Sequence, residues 1–387
     1  MDIAIEFIRA IGRLFLNPLL YIAILVLIFF GYQRVKRERK YFKVRILGGW
    51  TELKISWTAM VLSLVVSITL ILIGAVLPVQ FLIVLAILSA IFLIGQLTQA
   101  LSPIILFALS FLVLVVIRYD GSIYTIGKFT IDGLAIDAPV AATITIVAGV
   151  LLIVESRLIR KWAVFIASPV LERTRRGGKA VAYISKGAWI LPIFVLIPGE
   201  VIPNYLPYFP LLSFGEETYG LVVFPFIIGF KQLVRKMLPQ YFYPEYSKSL
   251  LVLGQAIVIS GITGYFDPLV AIVALLLGAL LRIVITLVVS SEQKKDSYAV
   301  APNSYGTVIA AVLPDSPAQK MGLKPGEIIK RVNGQEVYNE RELYEALQIN
   351  AALCKLEVID YQNEIRLTQH AVHRDDHHRI GVLLAEK

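Results

Sequence analysis

TVIAAVLPDSPAQKMGLKPGEIIKRVNGQEV, residues 307–337, carries dense backbone instruction, and the reading of the whole chain turns on it. TVIAAV is β-branched and apolar, the composition of a strand. Ser316 is a good N-cap, Pro317 suits the first helical position, and Gln319 completes a capping box. Gly322 then supplies a left-handed stop after a single turn. Pro325 and Gly326 fit the two central positions of a type II turn. EIIKRV predicts a second strand, and Asn333–Gly334 is the strongest short hairpin signal.

The pattern continues to the C-terminal side. Asn339 caps a predicted helix, NERELYEALQ, with Glu342 at its third position and Leu343 and Leu347 four apart on one face. CKLEVID and NEIRLTQH predict a further hairpin, and RIGVLLAEK a closing strand. Strand, SPA turn, Gly-Leu stop, PG turn and NG hairpin in this order resemble the core of bacterial PDZ domains. The resemblance implies that an extended peptide adds a strand to an open sheet edge beside a helix. The carboxylate loop expected before Thr307 is missing. The permuted bacterial arrangement places its strand last, where Arg379, Ile380, Gly381, Val382 and Leu383 match. On this reading Gly381 admits a peptide backbone, Ile380 and Val382 line an apolar pocket with Leu343 and Leu347, and Arg379 replaces the usual first Gly.

N-terminal to this domain the chain changes character. Hydrophobic residues make up 57% and charged residues 17% of all 387, and the mean hydropathy is +0.73, values that belong to a membrane protein. Apolar runs long enough to approach a membrane crossing fall at 14–32, 58–78, 80–97, 101–118, 138–156, 181–198, 218–233, 249–265 and 268–289. The expected architecture is an α-helical polytopic membrane domain of about eight or nine spans (1–290). A polar, flexible linker (291–303) and a small α+β PDZ domain of permuted bacterial type (304–387) follow. The first run has no small-residue cleavage site and is expected to be a retained anchor. Residues 1–13 are amphipathic, which suits either the interface or a frayed start to the first span.

The net charge of +9 does not point to nucleic acid. Residues 303–387 hold ten Lys/Arg against twelve Asp/Glu, so the excess lies in the membrane part. There it bunches at 34–54, 157–179, 231–248 and 294–295. Nine spans put all four clusters, and the PDZ domain, in the cytoplasm, with the poorly basic segments 119–137 and 199–217 outside. The second of these is rich in Pro and Tyr and reads as an interfacial loop. Arg282 is the one clear charge within a predicted span, and it is expected to snorkel to the nearby interface.

Catalytic constellations are absent. All four His, at 370, 373, 377 and 378, lie in the last eighteen residues. That rules out an intramembrane H-E-x-x-H zinc site and a rhomboid-like Ser–His dyad. HAVHRDDHH matches no closed structural metal spacing and reads as a solvated loop. Cys354, the only Cys, reads as a small core residue. The chain is therefore expected to be no enzyme and to need no cofactor. A transporter with a regulatory PDZ domain remains the alternative, with Gly254, Gly261 and Gly264 as its best support.

The complete layout also resembles the polytopic, PDZ-bearing topological determinants of Bacillus-type cell division. The opening FLNPLLYIAILVLIFFGYQRVKRERKYF, with Gly31-Tyr32 and the KRERK run, carries this together with the membrane-then-PDZ order. The resemblance implies a scaffold in the cell membrane, enriched at septum and poles. It would join a DivIVA-like polar scaffold to a MinD-like ATPase and other divisome proteins.

Overall fold

The computed structural model describes residues 10–121, 123–126, 129–131, 133–134, 137–174, 179–199, 212–214, 217–294, 298–349, 353–371 and 380–385. Residues 1–9 of the amphipathic start, most of the Pro/Tyr-rich loop, Arg379 and three of the four His lie outside them.

Seven of the nine apolar runs are helical. They form α1 (Pro18–Phe42), α2 (Thr51–Thr58) with α3 (Met60–Leu72), α4 (Val79–Ile94), α5 (Pro103–Asp120), α6 (Ala138–Leu158), α7 (Pro239–Thr263) and α8 (Pro268–Glu292). Six of these segments are long and apolar enough to cross a membrane, with α2 and α3 counted as one and α6 extended to Ala163; α4 is shorter. Local chemistry starts them. The Asn17 carboxamide caps α1 by accepting the Leu19 N–H, Asp267 caps α8 the same way, and Pro stands at the first turn of α1, α5, α6, α7 and α8. Helix α6 packs against α5, α7 and α8. Gly149 and Gly254 meet where α6 crosses α7, and a β-carbon on either would crowd the other helix. The glycines of α7 thus serve helix packing, and that helix is unbroken through Gly254 and Gly261.

The runs at 181–198 and 218–233 are not helices, which corrects the expected count of eight or nine spans. They are β4 (Lys179–Pro198) and β6 (Glu217–Val234), two long antiparallel strands buried among the helices. Short strands flank them, β3 (Ser168–Arg173) on β4 and β5 (Leu212–Phe214) on β6. A separate two-stranded ribbon, β1 (Tyr124–Ile126) and β2 (Phe129–Ile131), lies between α5 and α6. Composition explains the strands: both runs are rich in Ile, Val and aromatics, and Pro192 and Pro225 fall mid-run, where a helix would break. A strand buried on both faces reads as a continuous apolar run, indistinguishable by hydropathy from a spanning helix.

Unpaired backbone at this depth is costly, and the outward edges of the hairpin are supplied with partners. The N–H groups of Ile190 and Phe194 donate to the hydroxyls of Ser56 and Ser67, each at 2.9 Å. Between them stands Pro192, which has no N–H, in register with Pro225 on the other strand. The Leu196 carbonyl accepts from Leu77 N–H at 2.9 Å, and Gly229 N–H donates to Leu101 at 3.0 Å. The Lys231 carbonyl accepts from the Gln99 side chain at 2.9 Å. On β4 the outward groups of Ile190, Phe194 and Leu196, and on β6 those of Gly229 and Lys231, are thus met by the helices and their connections, and Pro192 has no N–H to satisfy. Ser67→Ala leaves the Phe194 N–H orphaned and is expected to cost about 1–3 kcal/mol in detergent unfolding. Ser63→Ala, which removes only a bond to Met60 within the helix, should cost less.

The C-terminal domain is a sheet in the order β11-β10-β8-β7-β12, from β7 (Thr307–Val312), β8 (Ile328–Val332), β10 (Leu353–Ile359), β11 (Ile365–Ala371) and β12 (Val382–Ala385). A two-residue strand, β9 (Gln335–Glu336), pairs with β8, while α9 (Pro317–Lys320) and α10 (Glu340–Gln348) cover the core. The turn chemistry takes the expected form. Ser316 accepts the Gln319 N–H and Asn339 accepts the Glu342 N–H, and Asn333 and Gly334 both have positive φ. The Gln319 side chain, however, reaches back to the Asp315 N–H rather than to Ser316.

Residues 298–303 do not form a free tether. Ala299 N–H donates to the Arg235 carbonyl at 2.8 Å, and Val181 N–H to the Val300 carbonyl at 2.9 Å. The Tyr298 hydroxyl donates to Glu172, which is ion-paired to Arg235 at 2.6 Å. Val181, Tyr183 and Leu238 of the membrane domain share a small apolar core with Val300, Val308, Ala310 and Ala385. The Tyr183 hydroxyl donates to the Ala310 carbonyl on β7 at 2.7 Å. The C-terminal domain is thus seated on the end of the β4–β6 hairpin.

Candidate functional site

Among the described residues the sheet ends at β12, which pairs with β7 on one side only. Leu313 N–H donates to the Gly381 carbonyl, so by antiparallel alternation the N–H and C=O of Val382 point away from β7. That edge opens on a cavity of about 320 Å³. The sheet side contributes Gly381, Val382, Leu383 and Leu384, and helix α10 contributes Glu340 and Tyr344. The third wall belongs to the membrane domain: Tyr41 to Val44 at the end of α1, Leu171 of β3 and Lys179 at the start of β4. Lys43 stands in the left-handed region at the C-cap of α1, its N–H bonded to the Arg39 carbonyl. Two lysines therefore face an edge strand across a partly apolar slot, an arrangement suited to an extended segment bearing a carboxylate.

The structure brings together Gly381, Val382 and Leu383 of the expected groove and separates the others. Ile380 is buried, and its carbonyl accepts the Ala318 N–H at 2.9 Å. Leu343 is 1% exposed in the domain core, and Leu347 is half-buried against that core. Arg379 lies outside the described residues. Gly381 also has a different role from the one expected: φ is +85°, and a β-carbon there would overlap the Ser316 side chain. It is needed for strand-to-turn packing inside the domain, so a bulky residue at 381 would damage the fold rather than merely fill the groove.

Helix α10 has one strong apolar stripe, and the core claims it. The groove is faced by the next stripe, Glu340 and Tyr344, one turn apart. The signal that could have found it is Tyr344 itself, an amphipathic ring at the border of that stripe. Cys354 is fully buried, and burial pushes its thiol up to about 11, so it is a core residue without nucleophilic character at neutral pH.

Arg282 does not snorkel. Its guanidinium pairs with Glu155 of α6 at 2.6 Å, with both side chains almost completely buried. The Ser102 hydroxyl donates to the other Glu155 oxygen at 2.5 Å. A second buried cluster sits where α1 leaves its apolar run. Arg34 bonds Glu52 at 2.7 Å, Glu38 at 3.0 Å and the Gly48 carbonyl at 2.7 Å. This residue of the first basic run is thus an internal clamp rather than a free charge.

A helical membrane protein carrying a PDZ domain is what this fold and groove define. The PDZ domain family model matches residues 308–359. The chain is 29% identical, over 99% of its own length and 96% of the other, to the Bacillus subtilis protein named cell division topological determinant MinJ. It is 24% identical, over 96% and 97%, to a probable cell division topological determinant MinJ of Lacticaseibacillus paracasei. A third likeness is local: 55% identity over 40 residues, 10% of this chain, to a probable periplasmic serine endoprotease DegP-like protein of Marinomonas. The chain is MinJ-like, and the likeness spans its apolar segments as well as its PDZ domain.

Proposed function

We propose that this protein is a membrane-embedded, non-catalytic adaptor that places cell-division regulators at the septum and poles. The near full-length likeness to proteins named cell division topological determinants carries the reading, because it includes the membrane part as well as the PDZ domain. Its partners are a DivIVA-like polar scaffold and a MinD-like ATPase, held with no cofactor. The PDZ domain is of the permuted type, its ligand-bearing edge supplied by the last strand. It faces the cytoplasm: with α4 crossing alongside the six longer segments, and with the β4–β6 hairpin starting and ending beside the domain, the parity of crossings and the sidedness of the basic clusters stay as nine spans would set them.

In this mechanism an extended partner segment pairs with the Val382 edge of β12 while Lys43 and Lys179 receive its carboxylate. The pinned 298–303 segment presents the groove at a fixed height above the bilayer, so affinity comes from restricted geometry as well as contact. The double variant Lys43→Gln/Lys179→Gln removes the two exposed cations that line the slot and would receive the carboxylate. It should leave the thermal midpoint nearly unchanged and lower capture of division proteins from membranes by roughly tenfold. Unchanged capture would move the binding surface away from the groove. Normal septum placement in a strain lacking the gene, or an even distribution of a fluorescent fusion around the cell, would sink the division role itself.

A further inference from the structure

Helix α1 divides its charges between two faces as it leaves the apolar run 14–32. The inward face, Arg34 and Glu38, is buried and internally paired. The outward face carries Lys36 and Arg39, both exposed, and across a short loop stands exposed Arg45. None of these three has an ion-pair partner among the described residues. They rim a cleft of about 520 Å³ between α1 and the loop, with no acidic residue among the described residues that line it. Val35 and Ile28 form its apolar wall on the helix, and the rings of Tyr32 and Trp50 flank it, about 60% exposed.

The cleft is rigid because the inward face holds the loop. Arg34 bonds the carbonyls of Leu47 and Gly48, and the Glu38 carboxylate accepts the Ile46 N–H at 2.7 Å. Gly31 has no side chain, and a β-carbon there would overlap the Gly49 carbonyl oxygen. Arg45 and Trp50 are therefore fixed opposite Lys36 and Arg39 at the level where α1 passes from apolar to charged sequence.

We propose that this cleft is a specific binding site for one anionic phospholipid. Lys36, Arg39 and Arg45 hold the headgroup phosphate, while Tyr32, Trp50 and the Val35 wall receive the start of an acyl chain. Three unpaired cations ask for an anion, the aromatic pair suits the headgroup zone, and the apolar wall asks for a tail. A free phosphate satisfies only the first of these.

The test uses the full-length protein in detergent, with phosphatidylglycerol or phosphatidylcholine added and retained lipid counted by native mass spectrometry. The intact protein should retain phosphatidylglycerol in preference to phosphatidylcholine. Each cation is worth roughly a fivefold change in affinity, so Lys36→Gln/Arg39→Gln/Arg45→Gln should lose roughly a hundredfold. Arg157→Gln/Arg160→Gln/Lys161→Gln, which removes three exposed cations elsewhere, should bind as the intact protein does. Arg45→Gln alone, on the loop outside any helix, keeps the test valid if the triple variant folds poorly, and should lose roughly fivefold. Equal losses in site and control variants, unchanged binding in the site variants, or displacement of the lipid by excess inorganic phosphate would each overturn the proposal.

Discussion

Arg282→Leu should lower the unfolding free energy of the membrane domain by about 3–5 kcal/mol, and adding Glu155→Leu should restore most of that loss. The pair lies inside the bundle, 2.6 Å apart, with side chains 2% and 0% exposed. Removing the cation leaves a carboxylate with the Ser102 hydroxyl as its remaining side-chain partner, in a place where water cannot solvate it. The Arg282 side chain also bonds Thr286 on its own helix, and its guanidinium lies 5.8 Å from the Tyr246 ring centre. A substitution there therefore loosens α6, α7 and α8 together. Removing both charges takes away the attraction and the desolvation cost at once, so the double variant is expected close to the parent. A double-mutant cycle from unfolding curves in detergent gives the coupling directly. If Arg282→Leu unfolds like the parent, the arginine reaches the interface after all and the buried pairing is wrong.

The same double variant separates an adaptor from a transporter. A charge pair at membrane depth is the feature a transport pathway would use. An adaptor in which the pair only aligns helices should keep normal septum placement once both residues are Leu. Loss of function in a stable Leu/Leu protein would favour transport.

The PDZ half was legible because its instructions are local. Asn333–Gly334, Ser316, Gly322 and Asn339 each act within a few residues, and each can be read without knowing what packs on top. The helices were legible for a related reason, since run length and Pro at first turns are properties of one segment. The hairpin was not. Burial on both faces erases the alternation that marks a strand, leaving Pro192 and Pro225 as the only warning against a helix. Glu155 was passed over because it stands at the end of its run, three residues before the last residue of α6, and its depth against Arg282 is set by how the helices pack. The groove was half legible. Gly381, Val382 and Leu383 announce an edge strand, whereas Lys43 and Lys179 come from elements more than two hundred residues and most of a domain away. No local pattern links them to β12.

Arg34→Ala should have an effect as large as that of Arg282→Leu, about 3–5 kcal/mol, because it leaves two buried carboxylates facing each other. Glu38 and Glu52 are 0% and 4% exposed, and Arg34 bonds both. Glu38 also accepts the Ile46 N–H at 2.7 Å and the Ser168 hydroxyl at 3.0 Å, so the cluster ties together α1, the loop after it and β3. Arg34→Lys should rescue little. The guanidinium reaches both Glu52 oxygens, Glu38 and two carbonyls through a planar fork, and a single ammonium cannot cover those directions. The loss should also be felt at a distance. Tyr41 to Val44, one wall of the groove, continue from the helix that Arg34 anchors, and Leu171 of the same wall lies three residues from Ser168. Limited proteolysis should therefore cut the 43–50 segment of Arg34→Ala before the parent is cleaved there, with partner capture falling in parallel. If Arg34→Lys matches the parent in both stability and protease resistance, the forked geometry carries no weight, and the cluster reduces to an ordinary charge pair.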